Sequence, residues 1–571
     1  MNSQDLAHST TEATGTPAPG GKDADVVNIV QAPAEMANGA PPPSTLPFLR
    51  GLSPFWHDRL IEAGLIVSLG LYYLVGNPNF GAGSFLHIPP YLYSLPFLIL
   101  FAILSWYRLP FALALFPLAL PYYMIQKTLF SYGSHQLNFS LAEIALGVCA
   151  LVALGQFVVA DGKWRYRLSL AELRERLGPF PLPILVFVVA ALISIVIAAD
   201  RQTALRAFRE EVFDPLLYLF LAFCCLRTRQ DIKRLLGALL GSAAIIAVIG
   251  LIQYFFFPNL LQSQASGASR VVAVYGSANS IGLFFDYALP VGMALLIFQV
   301  GQALRHQSKW WICLLILAAF IPFVSVLVLA QSLGTALALP VALLFILALS
   351  IRSRKVLLTG AGALLLLAAG AALVLHRPLT HLLTSWHSNS QGISTITVRY
   401  YLWLSALHMI QHHPWFGVGM DNWLCYYSVN NVCIASHHLF PHYWIIFIPG
   451  TKQLTGLTYQ PTLSHPHDIF LQIWASIGIF GLLAFVDILV LFYWLFARIF
   501  KAVRHSERPE VASLEWIILG IGGAMLAALC QGLVDSSFLE QDLAFCFWML
   551  VLILLTLRTF TGTPWRTKAA S

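Results

Sequence analysis

The sequence predicts an all-α protein, a polytopic transmembrane bundle of about 12–14 helices with one long extracytoplasmic loop. Three observations predict it. Only 10% of the 571 residues are charged, against roughly 25% in a soluble globular chain. Hydrophobic residues make up 58% of the chain. Apolar runs of about 20 residues, the length a helix needs to cross a bilayer, recur through most of it. These runs are continuous rather than short and alternating, which excludes a β-barrel.

In chain order, residues 1–50 are rich in Ala, Pro, Gly, Thr and Ser with no apolar run. They cannot bury enough surface to offset the entropy of ordering, and read as a disordered cytoplasmic tail rather than a signal peptide. Eleven spans follow within residues 51–375, centred near Leu69, Phe97, Pro117, Val148, Val189, Leu219, Ile245, Ala288, Ile316, Leu343 and Leu366. Residues 376–466 contain no span. Three more, near Ile479, Met525 and Leu550, fill 467–560, and residues 561–571 form a short cytoplasmic tail.

The basic residues test this layout independently. With a cytoplasmic N-terminus, 25 of the 33 Lys and Arg fall on the inside and only Lys127, Arg201, Arg206, Arg209, Arg270, Arg377, Arg399 and Lys452 outside. That unbroken alternation follows the positive-inside rule and places both termini in the cytoplasm. The net charge of +7 therefore reports topology, and nucleic acid is not an expected partner. Six of the eight Cys lie in apolar runs; Cys425 and Cys433 share the long loop, where they could pair if it is extracytoplasmic.

Parity puts that loop outside, and loops of this length in a compact protein are usually functional. With His467 just beyond its end, it accounts for eleven of the seventeen His, and it is thick with Trp and Tyr. Its segment 398–411 has apolar residues at helical spacing with Arg399 and His408 off that face, predicting an amphipathic helix on the membrane surface. The following "HPWFGVG" reads as a helix stop and turn.

The outside arginines ask for a reason, since guanidinium suits phosphate and pyrophosphate through bidentate, permanently charged donors. Each competes with a structural role, pairing with Glu210 or Glu211 or snorkelling to headgroups. Arg270 stands out, with no acid nearby in sequence and a polar "GSANS" turn beside it. In "SHPHDIFLQIWASIGIFG", His467 and Asp468 open a long apolar helix. At 100° per residue, Gly478 and Gly481 fall about 20° and 40° from the direction of His467, a small-residue face that a neighbouring helix could approach. The helix N-terminus disfavours positive charge and keeps His467 neutral, able to act as a base. His465, two residues earlier, is expected to matter much less. Zinc is the rival use for His437, His438, His442, His465 and His467, but no HExxH or CxxC spacing is present, so no metal or cofactor is expected.

The run "RYYLWLSALHMIQHHPWFGVGMDNW" followed by "SHPHDIFLQIWASIGIFG" resembles the signature region of the O-antigen ligase and O-antigen polymerase superfamily, which includes bacterial O-oligosaccharyltransferases. The spacing from His467 and Asp468 to Gly478 and Gly481 is similar to the ligase form, and Asn279 takes the place of an Asn that precedes a span in the family. Asp468 departs from the amide or hydroxyl usual there, and the tail and extra spans exceed the family's common core. The resemblance implies a GT-C-like helical fold in the bacterial inner membrane. It also implies metal-independent transfer of a glycan from an undecaprenyl-diphosphate donor to a lipid or glycan acceptor at the outer face. His467 would activate the acceptor, Arg270 would take part in the chemistry, and Arg209, Arg399, Asp468 and Asn279 would bind substrate. A polymerase using the same donor is the near alternative. A secondary transporter is the distant one, disfavoured by the absence of paired broken helices and the scarcity of mid-membrane acids.

Overall fold

A computed structural model describes residues 53–77, 90–132, 135–160, 164–263, 269–351, 395–427 and 465–565. The chain enters through α1 (Pro54–Leu74), α2 (Pro90–Tyr107) and α3 (Leu109–Leu115), the last running into a 3₁₀ turn, Phe116–Tyr122. A hairpin of β1 (Lys127–Tyr132) and β2 (His135–Phe139) leads to α4 (Leu141–Val159), α5 (Leu170–Leu177) and α6 (Pro181–Ile197). Next, α7 (Arg201–Ala207) and α8 (Asp214–Cys225) are joined by a π-helical turn, Phe208–Phe213, and α9 (Arg229–Phe256) follows. A two-residue hairpin, β3 (Gln262–Ser263) and β4 (Ser269–Arg270), precedes α10 (Ala278–Leu304), α11 (Trp310–Ala330) and α12 (Leu333–Ser350). The remainder is α13 (Thr395–His412), α14 (Trp423–Tyr427), α15 (Ile469–Arg504), α16 (Pro509–Ala512), α17 (Glu515–Gly532) and α18 (Gln541–Thr561).

Local chemistry explains many of these boundaries. Ser140 with Glu143 and Ser169 with Glu172 form capping boxes that satisfy the orphan N–H groups of α4 and α5. Pro54 and Pro181 begin α1 and α6, where a missing N–H costs nothing. The core is built around α18, buried from Leu543 through Leu557, with Phe545, Trp548 and Leu552 inside. Around it α10 and α12 pack on α17, and α15 packs on α6.

Each expected span centre among the described residues is helical, whereas Leu366 and the N-terminal tail lie outside them. Fewer helices qualify as spans by themselves: eight among the described residues are long and apolar enough, or ten if two bent pairs each count as one. The difference has physical causes. Arg108, with the Leu109–Pro110 step after it, bends α2 against α3 and its 3₁₀ turn by 117°, so the runs near Phe97 and Pro117 count together as one broken span. Asp58, Arg59 and Glu62 make the first turns of α1 polar. The helix around Leu219 is only twelve residues and continues the π turn.

The long helix α15 is interrupted at Gly478, whose φ of 79° and ψ of −177° are not helical. Carbonyls freed by the break are taken up by the turn after α13. Val418 N–H donates to Ala475 O at 2.7 Å and Gly419 N–H to Ser476 O at 3.0 Å, while Ile479 N–H donates to Pro414 O at 3.0 Å. The Trp474 indole N–H reaches the same Pro414 carbonyl at 3.0 Å. Gly478 thus admits a backbone turn, not the neighbouring helix expected from the glycine face: a Cβ there would sit 2.0 Å from Trp415 O. The environment of Gly481 differs again, since its nearest neighbour is the Ile477 side chain of its own helix.

The helix expected over 398–411 is α13. Its face of Leu402, Ala406 and Met409 is buried against Val418, Trp423, Tyr426 and Tyr427, so it packs on its own turn and on α15. His408 stays exposed, and Arg399 turns inward. Cys425 is disulfide-bonded, while Cys433 lies outside the described residues, as do His437, His438 and His442.

Candidate active site

Four segments meet at one end of the bundle: the β4 strand with the start of α10, the start of α13, the approach to α15, and the connection between α17 and α18. Asp468 caps α15, its carboxylate accepting from Leu471 N–H at 2.8 Å. Capping fixes the residue before it. His467 has a φ of 54°, a left-handed backbone uncommon for a non-glycine residue, and its carbonyl accepts from the Trp403 indole at 3.3 Å.

The partner of His467 is Asp535, which the sequence reading passed over. His467 Nδ1 lies 2.7 Å from Asp535 Oδ1. Asp535 is 4% exposed and accepts Ser536 N–H at 2.9 Å. Ser536 in turn donates to Gln472 Oε1 at 2.5 Å, tying the connection to α15. The second carboxylate oxygen accepts from Asn279 Nδ2 at 3.2 Å and stands 3.8 Å from the Arg399 guanidinium. Arg270 completes the chain by donating to Asn279 Oδ1 at 2.7 Å and to Ala330 O at 2.7 Å. One buried carboxylate therefore organises His467, Asn279 and Arg399, with Arg270 one step behind.

His465 belongs here as well. Its Nε2 is 3.6 Å from Asp535 Oδ1 and its ring stacks edge-on against His467 with centroids 4.4 Å apart. This placement puts His465 beside the centre, although its contact with Asp535 is longer than that of His467. Arg209, by contrast, pairs with Glu143 and Glu210, each at 2.7 Å, and lies over Phe139, so among the described contacts none joins it to the cluster.

Electrostatics assign the protons. Burial favours the neutral acid at Asp535, but the two imidazoles facing it overcome that and hold its carboxyl well below the usual range. Burial pushes His467 below the ordinary histidine value, against the pull of Asp535, and His465 adds to the lowering. At His465, burial also acts downward, yet the hydrogen bond and charge of Asp535 outweigh it and the net direction is up. An ionised Asp535 thus faces a His467 pushed toward its neutral form, with its Nδ1 engaged. Behind His465 is a small enclosed chamber lined by Glu211, Asp421, Trp423 and Gln472. Burial drives Glu211 well above the ordinary carboxylate value, and Glu540, which accepts from Tyr123, up to about 8.

His465, His467 and Asp535 also have ligand atoms within 4.8 Å of one another, close enough to hold a metal ion. Spacing rules overlooked this set because its carboxylate comes from a segment 68 residues away. A signal for Asp535 did exist. In "GLVDSSFLEQD" it is an acid between two apolar runs, and span parity puts that connection on the same side as His467.

Fold and site together define a multi-pass helical membrane protein with a buried histidine–aspartate centre joined to two arginines. No curated protein matches the chain. The family model for O-antigen ligase matches residues 315–486, which include Arg399 and His467, and supports membership in the O-antigen ligase superfamily of membrane glycosyltransferases. Lipid-linked glycans are the substrates that this superfamily implies.

Proposed function

We propose that this protein transfers a glycan from undecaprenyl diphosphate to an acceptor hydroxyl at the outer face of the bacterial inner membrane, as an O-antigen ligase does. The observation that carries the reading is the 2.7 Å contact of His467 Nδ1 with a buried, ionised Asp535, in a segment for which the charge alternation of the sequence supports an outside position. The disulfide at Cys425 fits an oxidising compartment.

In the proposed step the acceptor oxygen attacks the anomeric carbon while its proton passes to His467 Nε2. The bond from that carbon to the diphosphate oxygen breaks, and the lipid diphosphate leaves as an anion. Asp535 fixes the ring and stabilises the imidazolium as it forms. Arg399 faces the leaving charge with a buried Nε that has no hydrogen-bond partner among the described residues, and Arg270 adds positive field from behind Asn279. Asn279 and Asp468 act as positioning residues, while Arg209 stands at a more distant donor contact.

Metal is not required in this mechanism, because His467 uses its own lone pair. Protein reconstituted in vesicles with a lipid-diphosphate-linked glycan should keep its transfer rate after exhaustive chelation. Activity lost to chelation and restored by zinc, manganese or magnesium would instead make His465, His467 and Asp535 ligands.

Arg270→Lys should weaken donor binding and slow transfer, since an ammonium cannot span Ala330 O and Asn279 Oδ1 as the guanidinium does. Titration of donor into the purified variant measures the first effect directly; an unchanged affinity would remove Arg270 from the donor site.

Asp535→Asn should lower turnover about 10²-fold, within the usual range for general base catalysis, because an amide orients the ring without stabilising its charged form. The pH profile adds a sign. Only neutral His467 is a base, so wild-type activity is lost as pH falls through its depressed value. Removing the Asp535 charge removes the influence that raises that value, so the acid limb should move to still lower pH. A limb that stays in place or moves to higher pH would show that Asp535 does not act through His467.

A further inference from the structure

A second site lies at the opposite end of α15. Trp494, Arg498, Lys501 and His505 recur at three- and four-residue spacing, and so share one stripe of that helix. Together with Thr563 and Trp565 of the segment after α18 they line an open cavity of about 840 Å³. Its floor is aromatic: Trp494 and Trp565 are stacked, with centroids 6.1 Å apart and planes 9° from parallel. Arg498 holds this floor in place, lying 4.8 Å over the Trp494 ring and donating to Trp565 O at 2.6 Å. Arg558 covers Trp565 at 4.3 Å.

The cavity has a direction. From Trp494 to His505 the helix rises about 16 Å, and along that rise the lining changes from exposed tryptophan through half-buried Arg498 to exposed Lys501 and His505. Arg504 and Arg508 follow at the same end, and Arg566 and Lys568 continue the sequence after Trp565. An aromatic, apolar inner part and a cationic outer rim match the depth profile of a phospholipid, with its glycerol and acyl chains inside and its phosphate at the helix end. The positive-inside alternation assigns this end to the cytoplasmic leaflet, whose anionic lipids attract such clusters.

We propose that this cavity is a binding site for the headgroup of an anionic phospholipid of the cytoplasmic leaflet, with Lys501 and Arg498 meeting the phosphodiester and Trp494 and Trp565 contacting the glycerol region. The site is separate from the His467 centre, at the other end of the same helix, and stands whether or not the transfer reaction is correct. It ties the C-terminal segment to α15 through a lipid that the membrane always supplies.

The test uses the full-length protein in detergent. Thermal midpoint is measured with phosphatidylglycerol, phosphatidylcholine or inorganic phosphate added, and retained lipid is counted by native mass spectrometry. Wild type should be stabilised by phosphatidylglycerol and not by phosphatidylcholine. Lys501→Glu, at an exposed position that does not threaten folding, should lower retention about tenfold, whereas Lys309→Glu, elsewhere on the same side, should not. Equal protection by phosphatidylcholine would overturn the proposal, as would unchanged retention in Lys501→Glu. Protection by inorganic phosphate alone would reassign the cavity to a soluble phosphate ligand and equally overturn it.

Discussion

Gly478→Ala is expected to abolish accumulation of folded protein, although it adds one methyl group. The added carbon would stand 2.0 Å from Trp415 O, 2.3 Å from Trp415 C and 2.4 Å from Phe416 N, all backbone atoms that cannot rotate away. The φ of 79° independently disfavours any L side chain, at a cost of about 1–3 kcal/mol. Relief would require the 414–419 turn to leave the break in α15. Val418 N–H, Gly419 N–H and the carbonyls of Ala475 and Ser476 would then lose their partners. Gly481→Ala provides the contrast. Its new methyl meets the Ile477 side chain, which can change rotamer, so this variant should fold with a modest loss of stability. Size-exclusion yield and thermal midpoint of the two purified variants decide the matter. Equal tolerance at both positions would mean that the pair is a simple small-residue packing face.

His467→Ala carries the other large effect. It should insert and fold, because Asn279, Ser536 N–H and Arg399 remain beside the Asp535 carboxylate, yet transfer should fall by about 10²–10⁴-fold, the usual worth of a general base. Donor binding should survive, since Arg270 and Arg399 remain. His465→Ala should reduce transfer by less, because its Nε2 stands 3.6 Å from Asp535 against 2.7 Å for His467. Single-turnover transfer beside an equilibrium donor titration separates the two roles. A variant that binds donor poorly but turns over what it binds would recast His467 as a substrate contact.

Much of this is legible in the sequence. Apolar runs of spanning length are a one-dimensional signal, so the helical bundle could be read directly, and the helix over 398–411 followed from its periodicity. His467 and Arg270 were singled out by local chemistry, and both enter the cluster. What escaped were features made by distant segments. Asp535 carries only the general signal of an acid between two apolar runs, and it meets His467 because the connection between α17 and α18 folds against the approach to α15. The break at Gly478 was hidden for a related reason, since a glycine in a helical pattern reads equally as close packing or as a kink, and only the turn at Pro414–Gly419 selects the kink. Arg209 stands apart from the cluster because its acidic partners include Glu143, more than sixty residues earlier, a pairing that the local sequence does not show.

The central claim is best tested by transfer itself, in vesicles containing purified protein, a lipid-diphosphate-linked glycan and a hydroxyl acceptor, with wild type and His467→Ala compared at equal incorporation. The account predicts glycosylated acceptor and free lipid diphosphate in equal amounts from wild type, and neither above background from His467→Ala with donor still bound. Product formed by His467→Ala at the wild-type rate would contradict it. So would a wild type that moves the lipid-linked glycan across the membrane without joining it to anything.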